Sequence, residues 1–123
     1  PLEKLTNLKE LWMIENKIND LTPLKDLINL ETLMLDKNLI RDVTPLGNLI
    51  NLKELWIQYN YIEDVTPLAN LVNIEKMILT YNCIRDYSSL NDLKNDTTKV
   101  IDTDGQYFKI CETMESWDDF LNN

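Results

Sequence analysis

The sequence repeats itself every 22 residues, and this period constrains the fold more than any other feature. The segment at residues 43–64, VTPLGNLINLKELWIQYNYIED, has copies at residues 21–42 and 65–86. Residues 1–20 form a fourth copy that lacks its first two positions. In the central copy, the pattern LxxLxLxxNxI is made by Leu52, Leu55, Ile57, Asn60 and Ile62. A fixed period of about 20–29 residues with this pattern is typical of a solenoid whose coils stack on one another.

Each coil is predicted to contain one short β-strand, because apolar and polar side chains alternate there as a pleated strand requires. The strands are expected near residues 10–14, 32–36, 54–58 and 76–80. They would lie side by side in a parallel sheet on the concave surface. One coil cannot bury its own apolar face, but stacked coils share a continuous core.

The convex surface is predicted to consist of short helical turns. A Thr-Pro pair recurs at residues 22–23, 44–45 and 66–67. The threonine hydroxyl can cap a helix, and proline suits the first helical position. Too few residues remain before the next strand for a long helix, so 3₁₀ or short α-helical turns are expected. The predicted fold class is therefore an α/β solenoid.

Two polar residues recur with the same period. An asparagine follows each strand, where its amide can satisfy backbone groups that the turn leaves unpaired. An aspartate lies two residues before each helical turn, where an Asx turn would cap it. The two ladders are Asn16, Asn38, Asn60 and Asn82, and Asp20, Asp42, Asp64 and Asp86. A calcium ladder is the alternative for the aspartates, which stacked coils would space by about 4.8 Å, but capping explains them without a cation.

The period decays after four coils, so residues 1–86 are predicted to be repeats and residues 87–123 a cap, within one domain. Residues 98–102 resemble a last strand, and the Asp104-Gly105 pair predicts a hairpin turn after it. A helix is expected from residue 113, with one apolar face formed by Met114, Trp117, Phe120 and Leu121. The rings of Tyr107, Phe108 and Trp117 are predicted to form the interior of this hairpin-plus-helix cap, which would hide the core of the last coil.

The amino-terminal coil has no such cap. Leu2, Leu5 and Leu8 would lie at an open end beside an unpaired strand edge. We expect either that the native chain extends upstream, or that a partner or a second copy of the chain covers this end by self-association.

The composition argues against catalysis and against a bound cofactor or metal. The chain has no histidine, the commonest general base and zinc ligand. Cys83 and Cys111 lie far apart, which predicts neither a disulfide framework nor a zinc site, and Cys83 is read as a free thiol. This cysteine usage favours a cytoplasmic location.

The net charge of −9 argues against nucleic acid or an anionic membrane surface as the partner. It favours a protein with a basic surface. No apolar run in the sequence reaches the length that spans a bilayer.

The repeats resemble the 22-residue class of leucine-rich repeats found in bacterial internalins and in a regulatory subunit of type 1 protein phosphatase. The resemblance rests on TPL at residues 22–24, 44–46 and 66–68, and on NxIxD runs that end at Asp42 and Asp64. It covers about the first 90 residues. It implies a scaffold that binds other proteins and names no particular partner.

The tail is also similar to the closing strand and helix of SUKH-type immunity proteins. This similarity rests on DGQYFKICETMESWDDFL, residues 104–121, and mainly on its serine-aromatic-acid-acid-Phe-Leu run at 116–121. The rest of that fold is absent. The resemblance implies, as an alternative function, an acidic inhibitor that neutralises a basic toxin.

The candidate partner-binding site is a row of apolar side chains that point away from the core on the concave sheet. The row contains Trp12, Met34, Trp56 and Ile78, which lie 22 residues apart, and it is extended by Tyr59 and Tyr81. Aromatic side chains dominate interface energetics, and contiguous exposed apolar patches mark binding sites. The alternative is that the rings pack on their neighbours and merely stiffen the sheet, as in a structural spacer.

Acidic side chains flank this row and are predicted to steer a basic partner. They are Glu10, Asp36 and Glu54. A general acid/base pair of Glu10 and Glu54 would lie on an open sheet with no pocket to shift its pKa values. We therefore predict a solvated rim and no enzymatic activity.

Overall fold

The computed structural model describes residues 2–122, and it confirms the predicted solenoid with a parallel sheet. The strands are β1 (Glu10–Trp12), β2 (Thr32–Met34), β3 (Glu54–Trp56), β4 (Lys76–Ile78) and β5 (Val100–Asp102). They pair in this order in one sheet, and all four pairs are parallel. Each strand has three residues and is shorter than the sequence predicts, although backbone hydrogen bonds between coils continue past it, as from the amide of Leu35 to the carbonyl of Trp56.

Short 3₁₀ helices lie on the opposite side of the coils. The 3₁₀ helices span Leu2–Lys4, Thr22–Leu24, Thr44–Leu46, Thr66–Asn70 and Ser88–Leu90. The α-helices are α1 (Asn91–Asn95), α2 (Phe108–Thr113) and α3 (Trp117–Asn122). Within the described residues, no helix has both the length and the apolar character that crossing a bilayer requires.

The apolar positions of successive coils form one continuous core. Leu33, Leu55 and Met77 occupy equivalent strand positions and are completely buried. Residues of the first coil are only half-buried against this core: Leu2, Leu8, Leu11, Met13 and Ile18. The stacking of coils, as expected of a solenoid, buries side chains that one coil would leave exposed.

The aspartate ladder caps the 3₁₀ helices as predicted, but the threonines have a different role. The backbone amide of Thr22 donates to Oδ1 of Asp20 at 2.9 Å, and Thr44 does the same to Asp42. Thr22 is the first residue of its helix and makes no side-chain cap. Its hydroxyl and its amide both donate to Asp20 and hold the pKa of that carboxyl below its ordinary value. In residues 2–122, no group of three cysteine, aspartate or glutamate residues is arranged to hold a metal ion.

The asparagine ladder joins neighbouring coils. The side-chain carbonyl of Asn60 accepts the amide of Ile40 at 3.0 Å. Its side-chain amide donates to the carbonyls of Leu35 and Ile57, both at 3.1 Å. Asn38 and Asn82 make the equivalent bonds. Asn60 is fully buried, so these bonds satisfy backbone groups that water cannot reach.

Gln106 continues this ladder in the fifth coil, a role that the sequence does not reveal. Its Oε1 accepts the amide of Ile84 at 2.8 Å, and its Nε2 donates to the carbonyls of Leu79 and Thr103 at 2.9 Å. Gly105 precedes it with a left-handed φ of 70°. The residue before each asparagine is also left-handed: Glu15, Lys37, Tyr59 and Tyr81, with φ values of 56° or 57°.

The predicted hairpin at Asp104-Gly105 is wrong. Within the described chain β5 pairs only with β4, and the segment after the turn forms helix α2 instead of a strand. Gly105 provides the left-handed turn of a fifth coil, and it also leaves room for a neighbouring ring. A Cβ at this position would lie 3.0 Å from a ring atom of Tyr81.

The predicted helix from residue 113 is also corrected. Met114 adopts a left-handed conformation that ends α2, and α3 begins three residues later at Trp117. The expected apolar face is therefore divided. Trp117 is buried and Phe120 half-buried, whereas Met114 and Leu121 are exposed.

The two helices α2 and α3 lie on the side of the solenoid rather than over its last coil. They contact the turns that follow β3 and β4, where Trp117 donates its indole NH to the carbonyl of Asn60 at 2.7 Å. The hydroxyl of Tyr61 donates to the carbonyl of Glu115 at 2.8 Å. The core of the last coil lies instead beneath α1, whose Lys94 ammonium donates to Thr103 Oγ1 at 2.8 Å.

A disulfide fixes the side cap, which consists of helices α2 and α3. The prediction of a free thiol at Cys83 is therefore wrong. Cys83 is bonded to Cys111 of α2, and both residues are buried. Disulfides persist mainly in oxidising compartments. The cytoplasmic location therefore stays a prediction without support from cysteine usage.

Candidate functional site

The predicted apolar row lies in strict register across the concave sheet. Trp12 pairs with Met34, Met34 with Trp56, and Trp56 with Ile78. Trp12 is 63% exposed, and the other three side chains are half-buried. Asp102 of β5 is the next member of the row. The row therefore ends in a carboxylate at the side of the last coil.

Trp56 is held by polar neighbours on the sheet. Its indole NH donates to Oε1 of Glu54 at 3.3 Å, and the ammonium of Lys76 lies 5.3 Å from its ring centroid. Such a cation–π contact favours one orientation of the ring. The ring of Trp56 is consequently held in one orientation, whereas Trp12 is much more exposed.

The predicted acidic residues lie on both flanks of the row. Glu10 and Glu54 lie in one flanking register, separated by Thr32 and followed by Lys76. Asp36 lies beyond the other end of the strands and is half-buried. Its burial raises its pKa, and the nearby charge of Glu15 raises it further.

Tyr59 and Tyr81, which are predicted to extend the row, also pack against the side cap. Their rings stack on each other with centroids 4.7 Å apart. Trp117 packs edge-on against both, at 5.7 Å and 6.0 Å. They are half-buried because α3 covers them. Tyr107 also stacks on Tyr81, at 6.0 Å.

An ionic cluster marks the border between the side cap and the open concave surface. The ammonium of Lys37 lies 3.6 Å from carboxylate oxygens of both Glu15 and Asp118. It also lies 5.8 Å from the ring centroid of Tyr59. Partial desolvation opposes its charge, but these two carboxylates outweigh that effect and raise the pKa of Lys37.

One buried acceptor on the concave side lacks a donor. Oε1 of Gln58 has no hydrogen-bond partner among the described residues. Gln58 occupies the position of Asp36 in the next coil. Its backbone carbonyl accepts the backbone amide of Lys37 at 3.1 Å. Buried polar atoms of this kind are uncommon in folded proteins.

Three features of this surface do not appear among the sequence-based predictions. They are the contact of Lys76 with the ring of Trp56, the position of Asp102 at the end of the row, and the packing of the side cap on Tyr59. The first could have been found from the 22-residue register alone. The second is hidden because Asp102 follows Ile78 by 24 residues. The third has a signal in Tyr59 and Tyr81, since the equivalent positions of the first two coils hold the charged residues Glu15 and Lys37.

Comparison with known families gives one match. The family model described as Leucine Rich repeats (2 copies) matches residues 28–70. These residues include β2 and β3 and the 3₁₀ helix that follows each of them. No curated protein sequence matches the chain significantly.

Solved structures with this fold include two internalins of Listeria monocytogenes str. 4b F2365. The internalin inlF is 36% identical with a TM-score of 0.71, over 75% of this chain and 27% of that one. The internalin C2, inlC2, is 38% identical with a TM-score of 0.76, over 84% of this chain and 44% of that one. The chain therefore spans less than half the length of either structure.

Proposed function

Because the chain is a leucine-rich repeat protein with an internalin-like fold, we propose that it is a protein-interaction module whose concave sheet binds a partner protein. The observation that carries this proposal is the register of Trp12, Met34 and Trp56 on the open face of the sheet. Trp12 is 63% exposed, and a tryptophan in that position contributes little to the fold. An exposed aromatic row rimmed by polar groups fits an interface anchor.

The charges around the row support a basic partner. Glu10, Glu54 and Asp102 lie on the sheet beside or within the row, and the chain has a net charge of −9. Complementary charge of this kind steers association and sets orientation more than it sets affinity.

We propose no catalytic role for this surface. Glu10 and Glu54 lie on an open sheet on either side of Thr32. An acid/base pair needs carboxyl groups whose pKa values are driven apart by burial or close contact.

The test is capture of a partner from a lysate of the source organism with the Trp12→Ala/Trp56→Ala variant beside the wild type. Each anchor is expected to contribute roughly thirtyfold to affinity, so the double variant should retain no partner. The matched control is Tyr87→Ala/Leu121→Ala, which removes two exposed apolar side chains outside the concave sheet. A partner retained equally by all three folded proteins would place the binding site elsewhere.

A second candidate function is an inhibitor that neutralises a basic toxin. The acidic balance favours it: the chain has 21 acidic and 12 basic residues. The segment similar to the closing strand of immunity proteins is helical in α2, so this candidate rests on charge. Affinity for the captured partner should then fall steeply with added salt, whereas an interface anchored by the tryptophans should be much less sensitive.

A further inference from the structure

A second apolar row lies outside the concave sheet. Ile28, Ile50 and Val72 occupy the same position in three successive coils and are 52%, 51% and 62% exposed. The first coil has Thr6 at this position. The core does not need these side chains, because the preceding residue of each coil is the one that is buried.

The backbone beneath this aliphatic row is held rigidly. Asn51 donates its side-chain amide to the carbonyl of Ile28 at 2.7 Å, and Asn73 donates to that of Ile50 at 2.8 Å. The ammonium of Lys99 donates to the carbonyl of Val72 at 2.9 Å. The row is therefore presented at fixed spacing by an unbroken polar ladder.

A ladder of alternating charge runs beside the row. Together with three asparagines, Lys9, Glu31, Lys53 and Glu75 line an open groove of about 440 Å³. Glu31 lies 3.1 Å from the ammonium of Lys53 and 3.8 Å from that of Lys9. The sign of the charge changes at every coil.

We propose that this surface, the aliphatic row with its charge ladder, pairs with the same surface of a second copy of the chain. A two-fold axis between the second and third coils reverses the order of the ladder. Lys9 of one copy then faces Glu75 of the other, and Glu31 faces Lys53, so every pair is opposite in sign. The same axis places Ile28 against Ile50 of the other copy.

This self-complementarity is what a two-fold interface requires, because each surface must be its own partner. A basic or an acidic partner would meet unfavourable charges at every second coil. Each copy would keep its concave sheet free. A dimer would therefore present two binding faces, although the pairing does not depend on the function proposed for that sheet.

The test is sedimentation velocity of the full chain over a wide range of concentration. The wild type is expected to pass from monomer to dimer as concentration rises, and Ile50→Lys should weaken the dimer at least tenfold. The matched control, Val100→Lys, changes an aliphatic residue that is also about half exposed on the sheet and should leave the dimer intact. A wild type that stays monomeric at the highest concentration overturns the proposal, and so does a dimer that Ile50→Lys leaves unchanged.

Charge variants test the predicted symmetry separately. Lys53→Glu places like charges opposite each other twice across the axis, so it should weaken the dimer. Adding Glu31→Lys to that variant restores opposite signs across the axis and should restore the dimer. If the folded double variant dimerises no more strongly than Lys53→Glu, this result contradicts the two-fold arrangement.

Discussion

Replacing Trp117 by alanine is expected to release α3, while the disulfide still holds α2, and to lower the free energy of unfolding by about 4 kcal/mol, the usual range for a buried tryptophan. The ring is only 4% exposed. It packs edge-on against Tyr59 and Tyr81, and its NH donates to the carbonyl of Asn60. The change should be measured by urea unfolding followed by circular dichroism.

The matched control is Trp12→Ala, which removes the same side chain from an exposed position. Trp12 is 63% exposed, so its loss should change the free energy of unfolding by less than about 1 kcal/mol. Equal destabilisation by the two variants would contradict both the packing of the cap and the assignment of Trp12 to an open surface.

The second large effect is expected at the centre of the asparagine ladder. Replacing Asn60 by alanine leaves the buried amide of Ile40 without an acceptor. It also removes one of the two side-chain donors to each of the carbonyls of Leu35 and Ile57, which keep the bonds from Asn38 and Asn82. Buried groups without partners carry their full desolvation penalty, so the expected loss of stability is about 3 kcal/mol. Chemical denaturation measures this directly.

Asn16 provides the control for this effect because it occupies the same register in the first coil. It is exposed, and the bond it makes is with the carbonyl of Ile14. Alanine at Asn16 should change stability by about 0.5 kcal/mol or less. If Asn60→Ala lowers the free energy of unfolding no more than Asn16→Ala does, the ladder does not stabilise the coils in the way the contacts indicate.

Most of the solenoid could be predicted from the sequence because its period is short and its contacts are local to neighbouring coils. The spacing of 22 residues places Leu33, Leu55 and Met77 in register, and this register is observed. The roles of the buried asparagines and of the capping aspartates follow from the same spacing. Asn38, Asn60 and Asn82 meet the same buried environment, whereas Asn16 of the first coil is exposed.

The end of the chain could not be predicted in the same way. Strand residues from β1 to β4 follow one another by 22 residues, but Ile101 follows Met77 by 24. The extra residues hide the equivalence of Gly105 and Gln106 to Tyr81 and Asn82. The Asp-Gly pair therefore predicts a hairpin turn, although Gly105 provides the left-handed residue of a fifth coil.

The side cap and its disulfide depend on contacts between distant parts of the chain. Cys83 and Cys111 are separated by 28 residues, and only the path of α2 brings them together. Sequence spacing carries no information on whether two cysteines have suitable geometry for a bond. The packing of Tyr59 against Trp117 has the same origin, so the sequence alone does not reveal it.

Photo-crosslinking on the concave sheet is the most direct test of the proposed binding site. A photoreactive residue at Met34 lies between Trp12 and Trp56, and the matched control carries it at Asn48, which is exposed outside the sheet. In lysate of the source organism, Met34 should crosslink to a specific protein, Asn48 should not, and Trp12→Ala/Trp56→Ala should abolish the product. Crosslinking of the same protein from Asn48 alone, or equally from both positions, would contradict a concave binding site.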